Sequence, residues 1–270
     1  MATTIIAEMC NNHCGSMEIA EAMIRAAASA GADACKFQSF RADKLRKDYP
    51  DYEKEYAYYK KHELSYEDHV FLMQKCQENG VEFITTVFDL DTVDMLKELG
   101  LKTVKIASPD ANSWRLIDKC LANFEQVIIS TGMHTWDEID KLRDYCAEKQ
   151  GETDVTILYC VSEYPTPIGK IRLGIINRIK IPGKINSGFS DHTEGTQAAK
   201  IAIAMGADVI EKHFTLNQCL PGKDQRFAGT YEDFIEITGW RNLVSYLISD
   251  NGNLDKTNRA KYQGRWGCNV

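Results

Sequence analysis

Short runs of β-branched and apolar residues alternate along the chain with longer stretches whose apolar positions recur every three or four residues. The runs predict strands near Thr4–Ala7, Ala34–Gln38, Phe83–Val87, Val104–Ala107, Val127–Ser130, Thr156–Val161, Ile185–Phe189 and Val209–His213. The stretches between them predict helices such as Met17–Ala30, Tyr66–Asn79, Asp91–Leu99 and Trp136–Lys149. Gly31, Gly80, Gly100 and Gly206 fall just past four helices, where a left-handed residue ends the helix.

Eight such units with short connections predict an α/β protein of the (β/α)8, or TIM-barrel, class. An open doubly wound sheet is the alternative, but no GxGxxG turn follows the first strand, so its dinucleotide-binding form has no support. The length of 270 residues suits one barrel. The expected division is a catalytic barrel over 1–240, with a helix end and tail over 241–270. Arg41–Leu64 interrupts the rhythm after the second strand, and its segment Tyr49–Tyr59 carries five tyrosines. It reads as a helical excursion packing its rings on the barrel rim, with a lid as the alternative.

Composition changes this picture little. Apolar residues make up 44% and charged residues 26% of the chain, as in ordinary globular proteins. A net charge of −7 argues against a broad nucleic-acid surface, so an anionic substrate needs a local cluster of donors. No signal peptide or membrane-spanning run is visible, and the nine cysteines form no CxxC pair. The expectation is a cytoplasmic protein with reduced thiols that binds neither membrane nor nucleic acid.

In a barrel of this kind, chemistry collects at the carboxyl ends of the strands. Those ends carry Glu8, then Lys36 and Gln38, then Thr85 and Thr86, then Lys105, Ser108 and Asp110. Ser130 follows, then Ser162, Glu163 and Tyr164, then Ser190, Asp191 and His192, and last Glu211, Lys212 and His213. A lysine inside an apolar strand needs an opposite charge. Lys36 and Lys105 therefore read either as structural ion pairs or, with the neighbouring hydroxyls, as a phosphate or carboxylate site. His192 and His213 end adjacent strands about 4.8 Å apart, so both can reach one ion. Taken singly, each histidine is more often a hydrogen-bonded barrel residue. As a pair with open coordination positions they suit a catalytic metal better than a structural one.

The segments IIAEMCNNHCGS, GADACKFQSF, VKIASPD, STGM, CVSEYPTP, GFSDHTEGTQAA and DVIEKHFTL…PGKD occur in order over roughly Thr4 to Phe234. In these the chain resembles the sialic acid (N-acetylneuraminate) synthase family. That resemblance implies condensation of phosphoenolpyruvate with an N-acetylated hexose to a nonulosonate, a nine-carbon 2-keto-3-deoxy acid. It implies that His192 and His213 ligate Mn²⁺, with Mg²⁺ or Co²⁺ as alternatives. Lys36, Thr86, Lys105, Ser108, Ser130, Ser162 and Ser190 would surround phosphoenolpyruvate, and Glu8, Gln38, Tyr164 and Asp224 would contact the acceptor sugar. Asp110 would stand near C3 of the enol phosphate, forming the catalytic set with Lys36, Lys105 and Glu8.

Three positions depart from the family pattern: Asp110 where glutamate is frequent, Pro109 where glycine is common, and Ser162 where some members carry asparagine. Family members also continue into an antifreeze-like domain that lends an arginine to the partner's acceptor site in a swapped dimer. The sequence ends at Val270, so the expectation is a barrel without that domain, in a homo-oligomer of another kind. Arg259, Lys261 and Arg265 are candidate substitutes for the arginine, or simply a solvated tail. Two other functions are alternatives: a phosphoenolpyruvate aldolase for another aldose, phosphorylated or not, and a non-catalytic ligand-binding barrel.

Overall fold

A computed structural model describes residues 3–248 of the chain. Eight strands, β1 (Thr4–Glu8), β2 (Ala34–Ser39), β3 (Glu82–Val87), β4 (Thr103–Ile106), β5 (Gln126–Ser130), β6 (Asp154–Cys160), β7 (Ile185–Asp191) and β8 (Val209–His213), pair in parallel and in sequence order. β8 returns to β1 and closes the barrel. The strands fall where the apolar runs predict them. β6 starts two residues earlier than expected and β7 runs on through Asp191.

The helices are α1 (Met17–Ser29), α2 (Tyr52–His62), α3 (Tyr66–Glu78), α4 (Leu90–Glu98), α5 (Trp114–Leu121), α6 (Trp136–Lys149), α7 (Ile175–Ile179), α8 (Gln197–Ala204) and α9 (Tyr231–Ile248). Ser65 with Asp68 and Thr135 with Glu138 form capping boxes that start α3 and α6. Gly31 takes φ +86° just past α1, and the Ala32 amide returns to the Ala27 carbonyl at 3.1 Å, which ends that helix. α9 runs on to Ile248, its buried positions Phe234, Ile237 and Val244 keeping helical spacing across Gly239. Residues 249–270, including Arg259, Lys261 and Arg265, lie outside the described residues. No helix among the described residues is long and apolar enough to cross a membrane.

Side-chain alternation along the strands places the site. One parity faces the helices: Ile5, Ala7, Cys35, Phe37, Val104, Ile106, Val127, Ile129 and Ile210 belong to the large core between barrel and helices. The other parity faces the axis, where Ile6, Ala34, Ile84, Ile128, Leu158 and Val209 form a separate apolar cluster. Two residues further along those six strands stand Glu8, Lys36, Thr86, Ser130, Cys160 and Glu211. An apolar plug thus closes the barrel below, and a polar layer sits directly on it.

The excursion after β2 packs rings on the rim, as expected. Tyr59 meets Phe40 edge-on at 5.1 Å, and Lys223 lies 4.1 Å over the Tyr58 ring while pairing with Glu55 at 2.9 Å. It is thereby tied to the loop that follows β8.

Candidate active site

The polar layer forms the floor of a cavity of about 370 Å³ at the carboxyl end of the barrel, a size suited to a small ligand. Glu8 stands opposite Lys36 across β1 and β2, and opposite His213 across β1 and β8. Thr86 pairs with Lys105, and Ser190 with Glu211. The Lys36 ammonium makes a buried ion pair with Glu8, donates to Thr86 Oγ1 at 3.0 Å and lies 3.6 Å from Glu211. Lys105 lies 4.0 Å from Glu211 and donates to the Ile106 carbonyl at 3.1 Å. The Ser190 hydroxyl donates to Glu211 at 2.9 Å.

These four charges are not equivalent. Burial raises Glu8 to about 7, and Lys36 offsets only part of that effect. Burial works against charge on Glu211 too, but Lys105 and Lys36 outweigh it and hold Glu211 below the usual carboxylate range. Lys36 is raised because Glu211 and Glu8 overcome its desolvation, whereas burial leaves Lys105 lowered. Near neutrality one carboxylate is firmly ionised while the other readily takes a proton. Two lysines then face one fixed negative charge, a balance that favours an anion.

Above the floor, hydroxyls converge where the chain comes closest to itself. The Gly132 amide donates to Ser108 Oγ at 3.0 Å. A Cβ on Gly132 would come within 2.2 Å of Ser162 Oγ and 2.8 Å of Cys160 Sγ. Only glycine lets this turn approach both neighbouring strand ends, so STGM is a close-packing requirement as well as a polar motif.

His192 and His213 face each other across the mouth with ring centroids 5.6 Å apart, and the Tyr164 ring lies tilted by 36° against His192 at 4.2 Å. Burial lowers both imidazoles below the ordinary histidine range, so both are neutral. His192 Nδ1 lies 2.8 Å from the Val161 carbonyl. A carbonyl only accepts, so Nδ1 carries the proton and Nε2 keeps its lone pair. His213 Nδ1 is buried without a hydrogen-bond partner among the described residues. Cys10 Sγ, a ring nitrogen of His213 and a carboxylate oxygen of Asp224 lie within 4.8 Å of one another. Neutral imidazoles, one of them unpartnered, beside a thiol and a carboxylate fit a divalent cation.

Of the residues expected at the site, Glu8, Lys36, Gln38, Thr86, Lys105, Ser108, Ser130, Ser162, Tyr164, Ser190, His192, His213 and Asp224 all line this cavity. Asp110 does not. Strand alternation ends with β4, and a 3-10 turn over Ser108–Asp110 with Pro109 in its first turn rotates the carboxylate away. Asp110 accepts from Ser113 Oγ at 3.2 Å and lines adjoining cavities, one of which shares Gln38, Ala107, Pro109 and Tyr164 with the central one. Glu211 and Cys10 also stand on this wall, and the sequence alone assigns neither a role. Glu211 precedes His213 by two and shares its face, a readable signal, but its partners Lys36 and Lys105 are on distant strands. Cys10 follows Glu8 by two, beyond the end of β1.

Residues 23–249 match the NeuB family. The chain is 36% identical over 236 residues to an N,N'-diacetyllegionaminic acid synthase of Campylobacter jejuni, covering 83% of this chain and 71% of that one. It is 33% identical over 267 residues to a pseudaminic acid synthase of the same species, covering 95% and 77%. The solved structure of an N-acetylneuraminic acid synthetase from Leptospira borgpetersenii superposes with a TM-score of 0.88 at 27% identity, covering 99% of this chain and 93% of that one. A truncated 3-deoxy-D-arabino-heptulosonate 7-phosphate synthase of Thermotoga maritima, 16% identical with a TM-score of 0.70, shares the fold. The chain belongs to the NeuB family.

Proposed function

We propose that the protein condenses phosphoenolpyruvate with an N-acetylated hexose or a derivative, forming a 2-keto-3-deoxy acid of the nonulosonate type and inorganic phosphate. The observation that carries this reading is the polar layer on the barrel floor, where Lys36 and Lys105 are held among hydroxyls beside one firmly ionised carboxylate. It supports binding of a small, multiply charged anion. Membership of the NeuB family supports phosphoenolpyruvate as that anion, and the chain's likeness to sialic, legionaminic and pseudaminic acid synthases supports a sugar acceptor.

Lys36 and Lys105 would counter the phosphate and carboxylate, with Ser108, Ser130, Ser162 and the Gly132 turn enclosing them. As the anion enters, Glu8 sheds its negative charge by holding a proton, which frees Lys36 for the ligand. C3 of the enol phosphate then attacks the aldehyde carbon, water adds at C2, and the tetrahedral hemiketal phosphate collapses with cleavage of the C–O bond. Positive charge developing at C2 would be met by Glu211 on the floor. A divalent ion, Mn²⁺ for example, supplies Lewis-acid polarisation of the acceptor carbonyl when bound. His192 and His213 would hold it, and Tyr164, Gln38 and Asp224 would orient the acceptor. Asp110 would act from the adjoining cavity on the acceptor's side.

Incubation with phosphoenolpyruvate, Mn²⁺ and a panel of N-acetylhexosamines tests this reading through phosphate release. Release that depends on one of the sugars is expected. No release with any aldose, from folded and metal-loaded protein, would contradict it.

A further inference from the structure

Cys10 occupies a position that its side chain makes costly. It takes φ +45°, in the left-handed region where a non-glycine residue costs about 1–2 kcal/mol. It is 4% exposed and lines the cavity. Its Sγ lies 3.0 Å from Asp224 Oδ2, a contact across 214 positions of sequence. The two loops that carry this pair are locked together: Gln225 Nε2 donates to the Asn12 carbonyl at 2.9 Å, its Oε1 accepts from Thr215 Oγ1 at 2.5 Å, and Asn12 Nδ2 donates to the Phe214 carbonyl at 2.9 Å. A strained buried cysteine, a fixed carboxylate and a neighbouring imidazole with an unpartnered Nδ1 therefore converge at one point. Such strain persists only where the surrounding structure over-determines it, and it clusters at ligand-binding and active sites.

We propose that Cys10 and Asp224 are metal ligands, so that the ion in this barrel mouth sits in a mixed thiolate, imidazole and carboxylate set of Cys10, His213 and Asp224, with His192 beside them. This inference deepens the functional reading above, which requires only the two histidines. On coordination the thiol proton leaves to solvent and the sulfur enters as thiolate, replacing the Cys10–Asp224 hydrogen bond by two bonds to the ion. A thiolate is a soft ligand, and the site accordingly prefers Zn²⁺, Co²⁺ or Fe²⁺ to the harder Mn²⁺ and Mg²⁺. Asp224 is thereby moved from the acceptor's side of the site to the ion's.

Cobalt titration of chelator-treated, full-length protein reads the sulfur directly. Equilibrium dialysis gives the stoichiometry, and the near-ultraviolet spectrum reports a thiolate-to-cobalt charge-transfer band. The expected result is one Co²⁺ per chain with that band present. The band is lost in Cys10→Ser and Cys10→Gly and kept in Cys14→Ser and Cys219→Ser. Cys10→Gly suits the left-handed backbone and guards against a folding defect. Competition with a metal-sensitive dye should show Zn²⁺ and Co²⁺ affinity falling more than about tenfold in either Cys10 variant, with Mn²⁺ affinity changing less. Stoichiometric Co²⁺ without the band overturns the inference and leaves the histidine-held ion intact. So does a band that survives in Cys10→Gly, or failure to bind Co²⁺ at all. Phosphate release, assayed separately, judges the functional reading on its own terms.

Discussion

Glu8 and Lys36 stand opposite each other across β1 and β2 and meet as an ion pair within the barrel mouth, both almost fully buried. Removing one partner of such a pair costs more than the pair contributes, because the other charge is left without compensation. Lys36→Met should destabilise the fold by about 3–5 kcal/mol and abolish phosphoenolpyruvate binding. The Glu8→Gln, Lys36→Met double variant should recover part of the stability without recovering binding. Denaturant unfolding with ligand calorimetry on all four proteins of the cycle measures both effects.

Gly132 permits the approach of Ser108, Cys160 and Ser162. The methyl of Gly132→Ala must displace Ser162 Oγ and crowd the buried Cys160 thiol, an overpacking cost of about 1–3 kcal/mol. The phosphoenolpyruvate KM should rise by at least about tenfold, since displaced hydroxyls no longer converge on one anion. Steady-state kinetics with phosphoenolpyruvate varied checks this, and an unchanged KM would remove the hydroxyl cluster from the anion site.

The alternation of side chains along the strands made much of this site readable in the sequence. Lys36 with Gln38, and Glu211 with His213, share a face because a strand repeats every two residues. Asp110 lies past β4 in the turn at Pro109, where that rule no longer holds, so its placement in the adjoining cavity is not legible from alternation. Cys10 was missed for another reason. Its chemical meaning depends on Asp224, which comes near only when the loop after β8 folds back through Gln225 onto Asn12. Periodicity reports which way a side chain points within an element and is silent on contacts between distant loops.

His13 gives a prediction about stability and pH. It is buried and accepts from the Gly15 amide at 3.2 Å through Nδ1, and burial lowers it from 6.5 to about 4. The fold therefore favours the neutral ring, whereas the unfolded chain takes up a proton once the pH falls below 6.5. The stability contributed by this group is complete above pH 6.5 and declines by about 3 kcal/mol as pH falls towards 4. His13→Gln removes the titration, so the difference in unfolding free energy between the two proteins should narrow by that amount over the same interval. A difference independent of pH would show that His13 does not titrate in this way.

The central claim is that the barrel joins phosphoenolpyruvate to an aldose by breaking the C–O bond of the enol phosphate. Phosphoenolpyruvate carrying ¹⁸O in the bridge between C2 and phosphorus tests that most directly, with the phosphate and the keto acid weighed by mass spectrometry. The account predicts ¹⁸O in the inorganic phosphate, released only when the acceptor sugar is present, together with a keto acid heavier than the sugar by the pyruvyl unit. Phosphate without label, or label released equally without the sugar, would contradict it.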